Sequence, residues 1–385
     1  MKMKLAATAA FGLEGLVGRE LKSLGMENVE AQNARVYFEG GPLEIARSNL
    51  FLRCSDRVYM VLAEFPAVTF QELFEGVDAI PWEDFIPRDG RVHMTGKCVK
   101  STLMSVPDCQ SIAKKAVVER LKKRYHLNWM PEDGPVFRVE ISVLKDRVSV
   151  LMDTSGDGLH KRGYRILTGE APIRETLAAA LVKLSRWHPD RPLMDPMCGT
   201  GTIPVEAALI GKNIAPGLMR TFAGEAWPFL GAECWARARE EARDALNPEQ
   251  KLTIVGTDID EKALSMARYH AKKAGVGEIH FQRMELSEVT TQKQYGFMVT
   301  NPPYGKRLGE EKAVVSLYHT LRRVMNDKLP TWGLGVFTAF PDFERIYGKR
   351  ADFRRKLYNG KLECQFYQYK GVRPPWLQKV LDESR

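Results

Sequence analysis

The stretch LMDPMCGTGTIPVEAALI, residues 193–210, constrains the fold more than any other part of the chain. An apolar run ends in an acid, Asp195. Pro and two glycines follow, and then a helical apolar pattern. Strand, glycine-rich turn and helix form the unit with which a parallel sheet presents a loop to a nucleotide-like ligand at the carboxyl ends of its strands. The alternation around it is regular. IRETLAAALVKLSRW and EKALSMARYHAKKAG read as helices, while KLTIVGTD, EIHFQRME, YGFMVT and GLGVFTAF read as strands. Near the end, RRKLYNGKLECQFYQYK sets Asn359-Gly360 between alternating runs, a hairpin signal. The expected fold of 173–385 is α/β, a doubly wound Rossmann-like sheet with a terminal antiparallel hairpin.

The first 172 residues read differently. MKMKLAATAA opens like a weak export signal, but Glu14 interrupts the apolar run and a helical pattern over 11–24 follows, so a signal peptide is rejected. A strand at 36–40, a helix at 42–53 and a strand at 57–65 make a small α+β module over 1–65. A second α+β module spans 66–155: a strand in RVHMTGKCV, a helix in SIAKKAVVERLKKRYH and a hairpin about Lys145-Asp146. The Gly-rich, basic segment GDGLHKRGYRILTGEAP (156–172) is the expected linker. The formal net charge is +9, and residues 91–165 hold 15 Lys/Arg against 8 Asp/Glu. Such a concentration suits a polyanion, nucleic acid first, with Lys114, Lys115, Lys122 and Lys123 as the expected phosphate contacts. A merely solvated basic helix face is the competing reading. The six cysteines are scattered without a Cys/His cluster, so no metal site is expected. No apolar run approaches the roughly 20 residues of a membrane span, and a cytoplasmic location is expected.

The glycine loop matches neither the phosphate-cradling pattern ending in Gly-Lys-Ser/Thr nor GxGxxG. Asp195 would repel a phosphate. An acid beside Cys198, Gly199, Thr200 and Gly201 suits a cationic ligand that carries an amine or a sulfonium. In VGTDID, Asp258 ends the second strand and is placed to accept both hydrogens of a ribose diol. Asp260 competes, but it is better placed to cap the following helix. Glu285, after the third strand, is a candidate for an adenine amine, with a plain surface acid as the alternative. Together the acids describe an adenosine ligand without phosphate, S-adenosylmethionine. Asn301-Pro302-Pro303-Tyr304 follows a strand and so faces the same crevice. The Asn301 side-chain oxygen and the Pro302 carbonyl can accept the two hydrogens of a planar amine, and Tyr304 offers a ring on which a base can stack.

These residues resemble the (N/D)PP(Y/F) amino-methyltransferases. FGLEGLVGRELKSLG, the basic segment at 91–153, GLHKRGYR, APIRETLAAALV, DPMCGTGTIPVEAALI, GTDID and NPPYGKR together resemble their THUMP-containing, RNA-modifying branch. The likeness is greatest to bacterial guanine-N2 methyltransferases of large-subunit ribosomal RNA, whose members are often labelled adenine-N6 DNA methylases. The resemblance implies a ferredoxin-like module at 1–65, a THUMP domain at 66–155 and a class I methyltransferase at 173–385. It implies S-adenosylmethionine as cofactor, Asn301, Pro302 and Tyr304 as catalytic residues on the acceptor side, with Asn301 also among the cofactor-binding residues, and 23S ribosomal RNA or a ribosomal assembly intermediate as partner. No obligate protein partner is expected. Glu285 stands where an Asp is commoner. Adenine-N6 methylation of DNA or RNA and guanine-N2 methylation of transfer RNA are the alternatives. A non-catalytic RNA-binding protein is a third reading, disfavoured by the intact loop, Asp258 and NPPY.

Overall fold

The structure is a computed structural model that describes residues 2–32, 34–165, 173–305 and 311–375. The end of the expected linker (166–172) and Lys306 and Arg307 of NPPYGKR lie outside the described residues. The chain divides into two compact units. One comprises Met1–Ala9, Glu14–Leu159 and Arg220–Ala242; the other comprises Ala10–Leu13, His160–Met219 and Arg243–Arg385.

The first unit is built on one sheet. Its strands are β1 (Met3–Ala9), β2 (Glu27–Gln32), β3 (Arg35–Gly40), β4 (Ser55–Pro66), β5 (Arg91–Val99), β6 (Val136–Leu144) and β7 (Arg147–Asp153), in the order β2-β3-β1-β4-β7-β6-β5. Its helices are α1 (Glu14–Ser23), α2 (Pro42–Phe51), α3 (Phe70–Asp78) and α4 (Val106–Tyr125). The sequence suggests two modules, and β4 fuses them. This strand of 12 residues pairs with β1 along one edge and with β7 along the other. Two strands escape the sequence reading. Leu5, Ala6 and Ala7 of β1 are all fully buried, so no in–out alternation marks the strand. β2 is a polar, largely exposed edge. The hairpin joining β6 to β7 turns at Lys145 and Asp146, both with positive φ (51° and 60°), as a two-residue turn requires.

The second unit carries α5 (Glu175–Ser185), β8 (Leu193–Asp195) and α6 (Thr202–Gly211). The chain then contributes Arg220–Ala242, with most of α7 (Ala232–Asp244), to the first unit. There the Trp227 indole stacks on Phe137 at 5.1 Å and donates to the Val136 carbonyl at 3.1 Å. Arg47 meets Glu241 at 2.7 Å. The second unit resumes with β9 (Ile254–Asp258), α8 (Glu261–Lys273), β10 (His280–Arg283), β11 (Phe297–Thr300), α9 (Glu311–Arg323), β12 (Gly333–Thr338), α10 (Phe343–Tyr347), β13 (Phe353–Asn359) and β14 (Leu362–Tyr369). The sheet order is β10-β9-β8-β11-β12-β14-β13, parallel through β12, with the β13–β14 hairpin antiparallel at the edge. Asn359 pairs with Leu362, so the hairpin turns on Gly360 and Lys361, one residue later than expected, with Gly360 at φ 63°. Met298, Leu334, Val336, Tyr318 and Phe343 belong to its core. The strand order reverses between β8 and β11, which opens a crevice at their carboxyl ends. Among the described residues no helix is long and apolar enough to cross a membrane.

Candidate cofactor and acceptor site

Asp195 ends β8 inside the protein, at 2% exposure. Burial pushes its carboxyl up to about 7, against the Met197 N–H that donates to it at 3.2 Å, while the nearby Asp258 charge adds to the rise. The loop after it turns on two glycines. Gly199 has φ 51° and a Cβ built there meets nothing within 4 Å, so this position faces open space. Gly201, at φ 80°, begins α6, and a Cβ there would lie 2.8 Å from Ala267. The first glycine leaves room for a ligand, and the second lets α6 and α8 close behind the loop.

Asp258, at the end of β9, fastens this loop: its Oδ2 accepts the Gly199 N–H at 2.8 Å and its Oδ1 accepts the Asp260 N–H at 3.0 Å. Asp260 caps α8 by accepting from the Lys262 N–H at 2.8 Å, as the sequence suggests. Cys198 contributes through its backbone, donating to the Thr257 carbonyl at 2.9 Å. Burial drives its thiol well above the ordinary range, so the sulfur packs rather than reacts. Glu285 stands exposed two residues past β10, where its N–H donates to Glu288 at 3.1 Å.

The residues present fit an adenosyl sulfonium cofactor. Among the described residues neither Asp195 nor Asp258 forms an ion pair with a basic side chain, although one is almost fully buried. A ligand that brings positive charge and hydroxyl donors to this loop would complete them.

Asn301 follows β11 directly, and β11 pairs in parallel with β8 so that Met298 lies beside Met194. The carboxyl ends of these two neighbouring strands therefore present Asn301 and Asp195 to one crevice. Pro302 is buried, Pro303 is exposed and Tyr304 is half-buried. The Tyr304 hydroxyl donates to the Asn301 Oδ1. One neighbour of the loop escaped the sequence reading: His270 of α8 approaches the Thr200 carbonyl with its Nδ1 at 3.1 Å. Only the helical register of α8, with Ala267 and His270 on one face, would have hinted at it.

The four lysines lie on α4 in the first unit. Lys114 pairs with Glu132 at 3.1 Å and Lys115 with Glu119 at 3.7 Å. Two of the four charges are thus partly answered within the protein.

Comparison with known proteins places each part. The UPF0020 model, the RMKL-like methyltransferase domain, matches residues 162–368. The RlmL ferredoxin-like domain matches 4–59 and the THUMP domain matches 67–153. A protein of Bacillus subtilis named as a candidate RNA methyltransferase, YpsC, is 48% identical over 97% of each chain. The ribosomal RNA large subunit methyltransferase K/L of Syntrophotalea carbinolica is 36% identical over 95% of this chain, which spans only 53% of that relative. Among solved structures, SMU.472, a candidate methyltransferase crystallised with S-adenosylhomocysteine, is 44% identical over 97% of this chain and 99% of its own, with a TM-score of 0.92.

Proposed function

The chain belongs to the RMKL-like methyltransferase family, and from that membership we propose that it transfers the methyl group of S-adenosylmethionine to the exocyclic N2 amine of a guanine in RNA, with 23S ribosomal RNA as the substrate. The observation that carries this reading is the placement of Asn301-Pro302-Pro303-Tyr304 at the end of β11, beside the strand that ends in Asp195. The THUMP match over 67–153 and the ribosomal RNA relative support an RNA substrate.

In this reading Asp195, the loop Cys198–Gly201, Asp258 and Glu285 hold the cofactor, which supplies an electrophilic methyl group when bound. The Asn301 Oδ1 and the Pro302 carbonyl accept the two amine hydrogens of the target base. These bonds draw the nitrogen lone pair out of conjugation and aim it along the crevice. The Tyr304 ring stacks on the base, which enters unpaired or flipped from its helix. No acid–base pair is required: the amine proton leaves to solvent after transfer, and the rate comes from orientation. Lys114, Lys115, Lys122 and Lys123 meet RNA phosphates.

The test is methyl transfer from labelled cofactor to unmodified ribosomal RNA, transfer RNA and DNA in parallel, followed by nucleoside analysis. N2-methylguanosine in ribosomal RNA is the expected product. N6-methyladenine, in DNA or RNA, would overturn the guanine reading, and label in transfer RNA alone would move the substrate.

A further inference from the structure

His270 is the tenth residue of α8, far along the chain from the glycine loop, yet it is fully buried against it. Its Nδ1 stands 3.1 Å from the Thr200 carbonyl oxygen, so the proton sits on Nδ1 and is donated. Its Nε2 is buried with no hydrogen-bond partner among the described residues. A histidine that leaves one ring nitrogen unsatisfied in the interior costs stability relative to an apolar residue of similar size. The Thr200 bond is what it gains in return. Ala267, one turn earlier on α8, fills the space that a side chain on Gly201 would occupy. One face of α8 therefore supports two consecutive residues of the loop, Ala267 by contact and His270 by a hydrogen bond.

The other ties of this loop come from β9 and from the loop itself. Cys198 N–H is held by Thr257, and Gly199 N–H by Asp258. The Gly201 N–H turns back to the Cys198 carbonyl at 2.8 Å, within the loop. His270 of α8 supplies the side-chain tie at Thr200. Behind it the Tyr164 ring stands edge-on at 6.4 Å, and the Tyr164 hydroxyl donates to Glu206 of α6 at 3.0 Å, so the imidazole is backed by a fixed wall.

We propose that His270 is a positioning residue for the cofactor: its Nδ1–H orients the Thr200 peptide so that the loop is preformed for S-adenosylmethionine. The proposal rests on reading this loop as the cofactor site. Three variants separate orientation from packing. The amide nitrogen of Asn falls near Nδ1 of histidine, that of Gln falls near Nε2, and Phe has volume without a donor. Calorimetry with S-adenosylhomocysteine should show His270→Gln and His270→Phe weakened about tenfold, the loss of one preorganising hydrogen bond, and His270→Asn close to wild type. Thermal unfolding without ligand should follow a different order, with His270→Asn the least stable because it leaves the largest cavity. Turnover at saturating cofactor should stay near wild type in all three while KM for the cofactor rises in the Gln and Phe variants. Affinity that simply follows thermal stability across the series, or a Gln variant that binds as wild type does, overturns the assignment. A wild-type protein that does not bind S-adenosylhomocysteine removes the cofactor reading, and this inference with it.

Discussion

The hydroxyl of Tyr304 donates to the side-chain oxygen of Asn301, three residues before it. That oxygen is the acceptor proposed for the amine of the target base. The phenol therefore fills one of the two acceptor positions of this oxygen and holds the asparagine in one orientation. In the proposed reaction the amine of the base would share this oxygen with the phenol or replace it there.

This relationship sharpens what Tyr304 variants should do. Tyr304→Phe keeps the ring and removes the competitor for Asn301, so methyl transfer should remain near wild type. Tyr304→Ala loses the stacking surface, worth roughly 1–3 kcal/mol per base, and should be slowed mainly through a higher KM for RNA. Steady-state kinetics on both variants decides. A Phe variant as inactive as the Ala variant would put the hydroxyl into the reaction.

Asn301→Ala should lower methyl transfer by about 10²–10³, by analogy with the loss of an oriented donor at an oxyanion site. Cofactor affinity, read by calorimetry with S-adenosylhomocysteine, should change little, because Asn301 acts on the acceptor. Wild-type turnover in this variant would take NPPY out of the reaction.

Asp195 links stability and binding with opposite signs. Its folded-state carboxyl titrates near about 7, well above that of an unfolded aspartate, so the folded protein holds this proton more tightly. The ligand-free protein should lose stability as pH rises from about 4 to about 7, by up to roughly 4 kcal/mol for a shift of this size. Asp195→Asn should remove that component and raise the melting temperature of the free protein at pH 8. The same change should weaken the cofactor, because an amide cannot answer its positive charge. Wild-type affinity should fall with decreasing pH below about 7, as the carboxyl must give up its proton to meet a cation. A melting temperature at pH 8 that drops on Asp195→Asn would show that the carboxylate is stabilised in place.

Asp258→Ala should weaken cofactor binding more than the loss of a ribose contact alone, since Asp258 also holds the Gly199 N–H. Gly201→Arg should abolish binding and destabilise the unit, because even a Cβ at that position meets Ala267 at 2.8 Å and the backbone sits at φ 80°. Unchanged affinity in Asp258→Ala would place the ribose elsewhere.

Charge reversal on α4 should divide by position. Lys122→Glu with Lys123→Glu should flatten the salt dependence of RNA binding by about two units of slope. Adding Lys114→Glu and Lys115→Glu should change it less, because those two already pair with Glu132 and Glu119. Cofactor affinity should stay constant. A salt slope that survives all four reversals would make α4 a solvated face.

Much of the site was written in local sequence. The acid at the end of β8, the glycines after it, Asp258 at the end of β9 and NPPY after β11 are each recognisable because strand, turn and helix start are short-range features. Their meeting follows from a parallel sheet, which brings the carboxyl ends of its strands to one edge. The tertiary structure alone decided what depends on distant partners. Residues 1–65 and 66–155 read as separate modules, and they share one sheet because both edges of β4 find strands, β1 and β7, that lie far apart in sequence. Arg220–Ala242 joins the first unit through Trp227 and Glu241, a choice that no local periodicity records. His270 reaches Thr200 only because α8 packs behind the loop. Lys114 reads as a free cation until folding brings Glu132 to it, whereas Lys115 meets Glu119 one turn along the same helix. Periodicity reports which side of an element is apolar; which partner covers that side, and which charge answers another, is settled only when the whole chain competes for the same surfaces.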